Sequence, residues 1–488
     1  MFEKDCVPFA PTLIESMRSI GYSFSSAIAD LLDNSISAHA KNISILSEPS
    51  EDPFLVILDD GCGMDSSELF EAMRYGSNNP LMDRNPDDLG RFGLGLKSAS
   101  LSQCRRLVVI SKKNGKINGY SWDLDHVISK GSWVLTGYSE SEIANFVYID
   151  KLKSQKQGTY ILLSNFDRIK ESAENISETF SKNLDDMTNH ISLVFHRFIE
   201  DDGLNISLNG LLLTAKDPFL KSHKGTQKKR ESSFYIKGQK IVLQPYILSH
   251  ISKLSQLDLD KVGGKDRLRN EQGFYVYRNR RLIIWGTWFR LERKDELSKL
   301  ARVMVDIPNS LDYMWSIDIK KSTAVLPDII KRNMYTAVYE SVLSSETVHT
   351  FRGRKENKLK GIDYVWERTK GRDGYEYLIN RNIPQLKLLE ETLSDKQLQM
   401  LNCVIKLLED SFPTSAFYVD VAKGNIEDRV GGNEDTEELW QELQRQMEYV
   451  QTNNLDAKMY YSMFMKTEPY CNSESIQNRI KEELKKYE

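Results

Sequence analysis

The chain has 488 residues, of which 40% are hydrophobic and 28% charged, with a formal net charge of −4. This balance is typical of a soluble globular protein of two to four domains, and it provides no global basic field for nucleic acid. No apolar run approaches the ~18 residues of a membrane span, and the N-terminal MFEKDCVPFA has no signal-peptide core, so we expect a cytoplasmic protein.

The cysteines and histidines exclude two classes of protein. The five cysteines are widely spaced and form no CxxC pair: Cys6, Cys62, Cys104, Cys403 and Cys471. Their odd number and scatter indicate reduced thiols and argue against a disulfide framework or a zinc site. The seven histidines are equally dispersed, which argues against a transition-metal enzyme.

The first informative stretch is a helix predicted over residues 24–40, FSSAIADLLDNSISAHA, with Ser25 or Ser26 expected to cap its start. Asp30 and Asn34 stand four residues apart, so they lie one turn apart on the same face. The Asn34 amide oxygen can bind a hard cation, and the Asp30 carboxylate can hold a water beside it. The alternative interpretation is a surface helix with two polar residues on its solvent-exposed side.

A buried strand predicted over residues 54–58, FLVIL, runs directly into the sequence DDGCGM. The two glycines at alternate positions allow a tight turn beside a flat ligand. Asp59 at the strand end offers a carboxylate acceptor that suits the exocyclic amine of a purine. An ordinary polar turn explains the same residues.

After a helix predicted over residues 66–75, a polar segment with the features of a mobile lid ends in DLGRFGLGLKSAS, residues 88–100. Glycines at a helix start expose backbone N–H groups, so this segment can bind a polyphosphate, with Lys97 adding a charge. The spacing is neither a Walker A motif nor a dinucleotide fingerprint. Further on, QGTYILL predicts a turn into a buried strand, where Thr159 either hydrogen-bonds near a base or simply begins the strand.

These four motifs, in this order, resemble the Bergerat ATP-binding fold of the GHKL superfamily over about residues 12–170. The sequences ADLLDNSISA and GRFGLGLKSAS resemble those of the MORC and MutL branch, especially bacterial MORC-like ATPases. The resemblance implies an α+β fold with a Bergerat sandwich, bound ATP and Mg²⁺, and an ATPase activity. The ATP-binding residues that it implies are Asn34, Asp59, Gly61, Gly63, Met64, Gly90, Arg91, Phe92, Gly93, Leu94, Gly95, Lys97 and Thr159.

Within this set the resemblance implies particular roles. Asn34 would coordinate magnesium, Asp59 would bind the adenine amine, and the glycines with Lys97 would surround the phosphates. The general base is Glu in most hydrolysing members, and here the position is Asp30, which is shorter by one methylene, roughly 1.5 Å. Since orienting the attacking water is a positioning task, we expect either that hydrolysis is slow or that Asp30 acts through a second water. Asp33 points about 100° away from Asn34 and is the poorer candidate for the base.

Residues 171–340 resemble the ribosomal-protein-like α+β transducer domain that follows the ATP domain in MutL and MORC. A long helix predicted over 172–199, a hairpin turn at Asn209-Gly210 and the strand sequence GFYVYRNRR carry this resemblance. Transducers of this type insert a lysine into the nucleotide site; Lys321 is the first choice and Lys320 the second, and a pair of surface lysines is the alternative. We therefore expect three domains: 1–170 for ATP binding with an N-terminal arm, 171–340 as transducer, and 341–488 as a mostly helical interaction domain.

The leading functional hypothesis is an ATP- and magnesium-dependent switch that closes as a homodimer to act on DNA or partner proteins. DNA repair, restriction or phage defence is implied by resemblance only. Basic segments at 221–230, 278–281 and 352–360 suit contacts with DNA phosphates, or are solvated loops. The alternative is a nucleotide-gated protein-interaction scaffold with little hydrolysis and no direct DNA contact. A histidine kinase is disfavoured because no histidine precedes the first helix.

Overall fold

A computed structural model describes residues 8–19, 21–75, 95–296, 298–308, 311, 334, 363–370, 375–413, 417 and 433–487. The chain is mixed α+β and divides into two units, residues 1–348 and 349–488. The first unit contains two sheets, and the second contains a short hairpin and helices.

The first sheet has eight strands, all antiparallel to their neighbours except for the parallel pair β1 and β7. In chain order its strands are β1 Asn42–Glu48, β2 Phe54–Asp59, β3 Arg106–Lys113, β4 Lys116–Asp123, β5 Thr136–Tyr138, β6 Gly158–Ser164, β7 Asn205–Leu208 and β8 Leu211–Leu212. Their spatial order is β5-β4-β3-β6-β2-β1-β7-β8. The sheet thus continues past residue 170, and a domain boundary at that position stays a prediction.

Ten helices among the described residues belong to the same part of the chain. They are α1 Ala10–Arg18, α2 Phe24–Ser37, α3 Ser66–Met73, α4 Gly95–Gln103, α5 Leu124–Lys130, α6 Glu140–Ile143, α7 Ile149–Ser154, α8 Asp167–Ser172, α9 Ile176–Val194 and α10 His196–Asp201. The single helix expected over 172–199 is therefore divided between α9 and α10, with a break at Phe195.

The central strands are buried on both faces, which explains why β2 reads as an uninterrupted apolar run. Leu55 and Ile57 pack into the core shared with α2, α4 and α9, whereas Val56 and Leu58 pack into a second core with residues of α6 and α7. The predicted buried strand is confirmed and extends one residue further, to Asp59. Because that residue ends the strand, its carboxylate lies at the edge of the core.

Helix α2 is confirmed and begins at Phe24 as predicted, but it ends at Ser37 and not at Ala40. Its N-cap is Ser23, whose hydroxyl accepts a hydrogen bond from the Ser26 N–H, so the expected caps at Ser25 or Ser26 are wrong. The helix ends at Ser37 because His39 adopts a left-handed conformation with φ of 60°. The chain can then turn into β1.

The second sheet lies between residues 227 and 307 and contains six strands in the described residues. They are β9 Gln227–Lys228, β10 Ser232–Ile236, β11 Gln239–Ile247, β12 Gly273–Arg278, β13 Arg281–Thr287 and β14 Ala301–Ile307. Their order is β10-β11-β14-β12-β13, and β9 pairs with β11. Helix α11, Gln256–Lys261, connects β11 to β12 together with short 3₁₀ turns.

The β12–β13 hairpin turns through Asn279 and Arg280, which both have positive φ values of 46° and 69°. Two consecutive left-handed residues match the twist of a two-residue hairpin. Arg281 therefore begins β13, whereas the strand predicted over 273–281 ends at Arg278. This turn decides where the basic side chains of the segment point.

In residues 349–488 the structure describes one antiparallel hairpin and five α-helices. They are β15 Trp366–Lys370, β16 Tyr375–Ile379, α12 Pro384–Thr392, α13 Asp395–Asp410, α14 Asn433–Thr452, α15 Ala457–Phe464 and α16 Glu474–Leu484. A separate apolar core joins α14, α15 and α16. None of the helices in the described ranges has the length and apolar character needed to cross a membrane.

Candidate nucleotide-binding site

The carboxylate of Asp59 is buried at the end of β2 and held by three hydrogen bonds. Ser35 of α2 donates to Oδ2 over 2.8 Å, and the backbone N–H groups of Gly61 and Thr159 donate to Oδ1 over 3.0 and 3.2 Å. Burial raises the pKa of the Asp59 carboxyl, and the three hydrogen bonds act in the opposite direction. The carboxylate is fixed in one orientation, as recognition of a ligand amine requires.

Ser111 of β3 connects the residues around Asp59, and no sequence motif identified it. Its hydroxyl accepts from the Met64 N–H over 2.8 Å and donates to the Gly158 carbonyl over 3.0 Å. It also lies 3.1 Å from the Thr159 hydroxyl. The structure therefore brings Met64 and Thr159 together with Asp59. A single serine within a strand carries no sequence signal, because only the pairing of β3 with β6 places it here.

Position 63 needs a glycine, because the neighbouring backbone leaves no room for a Cβ atom. Its φ is +63°, and a Cβ built on it would lie 2.1 Å from the Lys112 carbonyl oxygen and 3.3 Å from the Gly158 nitrogen. Gly61 is also confined, because a Cβ there would approach the Ala38 side chain to 2.8 Å. The family resemblance also implies that Gly63 lets the adenine base approach, and this role stays a prediction. The close approach within the chain is made by the backbone of Lys112 and Gly158.

We expect Gly63→Ala to lower the free energy of unfolding by about 3–5 kcal/mol, because it adds a backbone clash to left-handed strain. Gly115→Ala is the matched control, since Gly115 also has a positive φ, of 78°, but has no atom within 4 Å of its Cβ position. The control is expected to cost only about 1–2 kcal/mol. Urea unfolding of both variants checks this, and equal losses would contradict it.

Asp30 lies on α2, as predicted, but its carboxylate is already engaged. Tyr22 donates to Oδ2 over 3.1 Å, and Arg281 of β13 donates to Oδ1 over 3.0 Å. The Arg281 Nε also lies 2.7 Å from Oδ1 of Asp33. The helical spacing favoured Asp30 over Asp33 as the base, and no sequence motif indicated a role for Tyr22 or Arg281. Arg281 is 251 residues away from Asp30 along the chain, so only the tertiary structure could reveal this contact.

Asn34 is exposed, unlike the buried Asp30 and Asp33 on the same helix. A magnesium ion carried by a nucleotide needs only one or two protein oxygens, because phosphates and waters supply the other ligands. An accessible amide oxygen one helical turn from an acidic residue fits such a site. Asn34 would hold the ion, and the ion would neutralise phosphate charge.

Lys97 of α4 is buried, with 1% of its surface exposed. Its ammonium donates to the carbonyl oxygens of Ala72 and Arg74, each over 2.8 Å, and lies 5.7 Å from the centre of the Tyr75 ring. The side chain thus binds the C-terminal carbonyls of α3, where positive charge is favourable. Burial lowers the pKa of Lys97 to about 8. Its expected contact with phosphates stays a prediction.

The depressed pKa of Lys97 predicts a pH dependence of stability. The unfolded chain holds the proton up to its ordinary pKa of 10.5, whereas the folded chain releases it near 8, so folding is favoured increasingly between these values. Relative to Lys97→Met, the wild type is expected to gain up to about 3 kcal/mol between pH 7 and pH 10.5. Chemical unfolding at both pH values measures the difference, and a constant difference would contradict the expectation.

Several predicted residues lie outside the described part of the chain: Gly90, Arg91, Phe92, Gly93, Leu94, Lys320 and Lys321. Their assigned roles stay predictions. Gly95 is described and begins α4, and its Cβ position has no atom within 4 Å.

The basic segment at 278–281 is buried or half-buried, so it resembles neither the open phosphate-binding surface nor the solvated loop considered from the sequence. Arg278 and Arg281 are buried, and Arg281 faces two carboxylates. Arg280 pairs with Asp201 over 2.9 Å. In 221–230 several basic side chains are exposed, whereas 352–360 lies outside the described residues.

The part of the chain that contains the candidate site is similar to known ATPases. Residues 22–159 match the family model described as "Histidine kinase-, DNA gyrase B-, and HSP90-like ATPase". ATPase morc-1 of Caenorhabditis elegans is 36% identical over 93 residues, covering 19% of this chain and 10% of the relative. Human ATPase MORC2 is 36% identical over 93 residues, covering 18% and 9%.

A DNA mismatch repair protein MutL from Buchnera aphidicola is 34% identical over 88 residues, covering 18% of this chain and 15% of that protein. The similarity thus spans a small part of each of these relatives. Among solved structures, the N-terminal domain of a DNA repair protein superposes with a TM-score of 0.42 and 17% identity, covering 68% of this chain and 99% of that one.

Proposed function

We propose that this chain, which carries a GHKL ATPase domain of the MORC/MutL-like branch, is an ATP- and magnesium-dependent conformational switch. The domain implies ATP binding. We further propose that the chain hydrolyses ATP, closes as a homodimer and acts on DNA or partner proteins. Defence, restriction or repair is the setting that we propose for it.

The observation that carries the proposal is the direct link between two of the motifs. Ser35 of α2 hydrogen-bonds the Asp59 carboxylate, so the adenine-recognising acid and the magnesium-binding Asn34 belong to one rigid arrangement. Asp30 lies one turn from Asn34 on the same helix. One nucleotide would place its base near Asp59 and its phosphates near Asn34.

A second candidate function has an observation in its favour. Both carboxylate oxygens of Asp30 are engaged, by Tyr22 and by Arg281. An acid held in this way suits a nucleotide-gated scaffold that binds partner proteins with little hydrolysis and without DNA. The rate of hydrolysis therefore separates the two functions.

The test is calorimetry of the wild-type chain with Mg²⁺ and a non-hydrolysable ATP analogue, followed by phosphate release from ATP. Binding together with release supports the switch, and binding without release supports the scaffold. Solution sizing with and without the analogue, repeated with duplex DNA, then examines closure and the partner. Failure of the wild type to bind the analogue would refute both functions.

A further inference from the structure

Arg281 extends from the second sheet to the helix that carries Asp30. Its guanidinium Nη2 lies 3.0 Å from Oδ1 of Asp30, and its Nε lies 2.7 Å from Oδ1 of Asp33. The three side chains are only 6%, 9% and 3% exposed. One planar cation thus lies between two acids that stand three residues apart on α2.

The charges explain what this arginine does locally. Asp30 and Asp33 are neighbours on a helix, and two buried carboxylates so placed repel each other. With Arg281 between them the group has a net charge of −1 instead of −2. Arginine suits this position, because its positive charge is spread over a planar group that lies beside both carboxylates, and its Nη2 donates to Asp30.

The position of Arg281 is fixed by the hairpin turn from which it projects. The neighbouring Arg280 pairs with Asp201 over 2.9 Å and Asp202 over 3.3 Å, at the end of α10. In the adjoining strand, the Tyr277 hydroxyl lies 2.7 Å from Nε2 of the buried His196. The Arg281 guanidinium itself lies 5.7 Å from the ring centre of Phe195. These contacts hold the β12–β13 hairpin against α9 and α10.

We infer that Arg281 is a positioning residue for ATP hydrolysis, which acts through Asp30. It makes the reaction depend on the position of the second sheet relative to α2. The inference rests on the proposed function. Orienting the attacking water is a positioning task, so the rate depends on the orientation of the Asp30 carboxylate. Arg281 and Tyr22 hold that orientation from two sides.

A residue with this role affects the rate more than the binding of nucleotide. Its contacts are with Asp30 and Asp33, whereas the adenine-recognising Asp59 is held by other residues. Misplacement of a reacting group by about 1 Å can lower a rate by about 10²-fold. Arg281→Gln is therefore expected to lower kcat by about 10–100-fold and to change the affinity for ATP by less than about threefold.

The experiment compares three variants of the full chain, measuring kcat by phosphate release and affinity by calorimetry with a non-hydrolysable ATP analogue. Lys240→Gln is the control, because it removes a positive charge from an exposed position of the same sheet, in β11. We expect its kcat to stay within about twofold of wild type. Arg281→Lys keeps the charge and is expected to recover part of the lost rate.

A double-mutant cycle tests whether Arg281 acts through Asp30. In an Asp30→Asn background, Arg281→Gln is expected to change the single-turnover rate by less than about twofold, because the group that it positions is already inactive. A further large loss in that background would overturn the inference.

Two other results would overturn it while leaving the proposed function intact. One is an Arg281→Gln variant that hydrolyses ATP like the wild type. The other is a loss of affinity as large as the loss of kcat, which would place Arg281 on the nucleotide itself. If Arg281→Gln does not fold, Arg281→Lys decides the question: a kcat below that of the wild type with unchanged affinity supports the inference, and a wild-type kcat overturns it. A wild type that binds ATP without hydrolysing it would contradict both the proposed ATPase activity and this inference, and is recognised before any variant is made.

Discussion

Asp30→Asn is expected to lower the rate of ATP hydrolysis by about 10²–10⁴-fold while leaving nucleotide binding nearly unchanged. The amide cannot accept a proton from the attacking water, and it replaces one of two acids that share Arg281. Single-turnover phosphate release measures the rate, and calorimetry with a non-hydrolysable analogue measures the binding.

Asp33→Asn is the matched comparison for this prediction. Asp33 is buried on the same helix and contacts the same guanidinium, so its loss disturbs the ion pair without removing the proposed base. We expect a fall in rate of no more than about tenfold. Hydrolysis by Asp30→Asn at the wild-type rate would exclude Asp30 as the base.

Asp59→Asn is expected to weaken the binding of ATP by about 10–100-fold, as expected for loss of a charged hydrogen bond of about 1.5–3 kcal/mol. The asparagine oxygen can still accept from Gly61 and Thr159, but its amide then presents a donor where the carboxylate presented an acceptor. Because burial raises the pKa of the Asp59 carboxyl, wild-type affinity is also expected to fall with decreasing pH sooner than an ordinary carboxyl would allow.

The adjacent Asp60 provides the control for Asp59→Asn. Its carboxylate accepts hydrogen bonds from the backbone N–H groups of Lys41 and Asn42, so it stabilises the turn before β1. Asp60→Asn is expected to lower stability and to leave the affinity for ATP within about threefold. Equal losses of affinity in the two variants, measured by calorimetry, would show that Asp59 has no special role.

Local features of this protein could be predicted from the sequence because they depend on neighbouring residues. The helix bearing Asp30 and Asn34 follows from apolar spacing, and the buried strand before Asp59 follows from an apolar run ending in a turn. The hairpin at Asn209-Gly210 is confirmed, with φ values of 49° and 88°, since these residue types accept left-handed backbone. The ends of α2 were less predictable, because its cap and its termination depend on single residues.

The sequence by itself therefore determined the order of the motifs, the type of each element and the kind of ligand expected between them. Only the tertiary structure decided the partners of the charged groups. Arg281 belonged to an apparent basic segment, yet it faces Asp30 and Asp33, and Lys97 binds the end of α3. The physical reason is that a buried charge needs a partner in space, and chain folding brings that partner from any distance along the sequence.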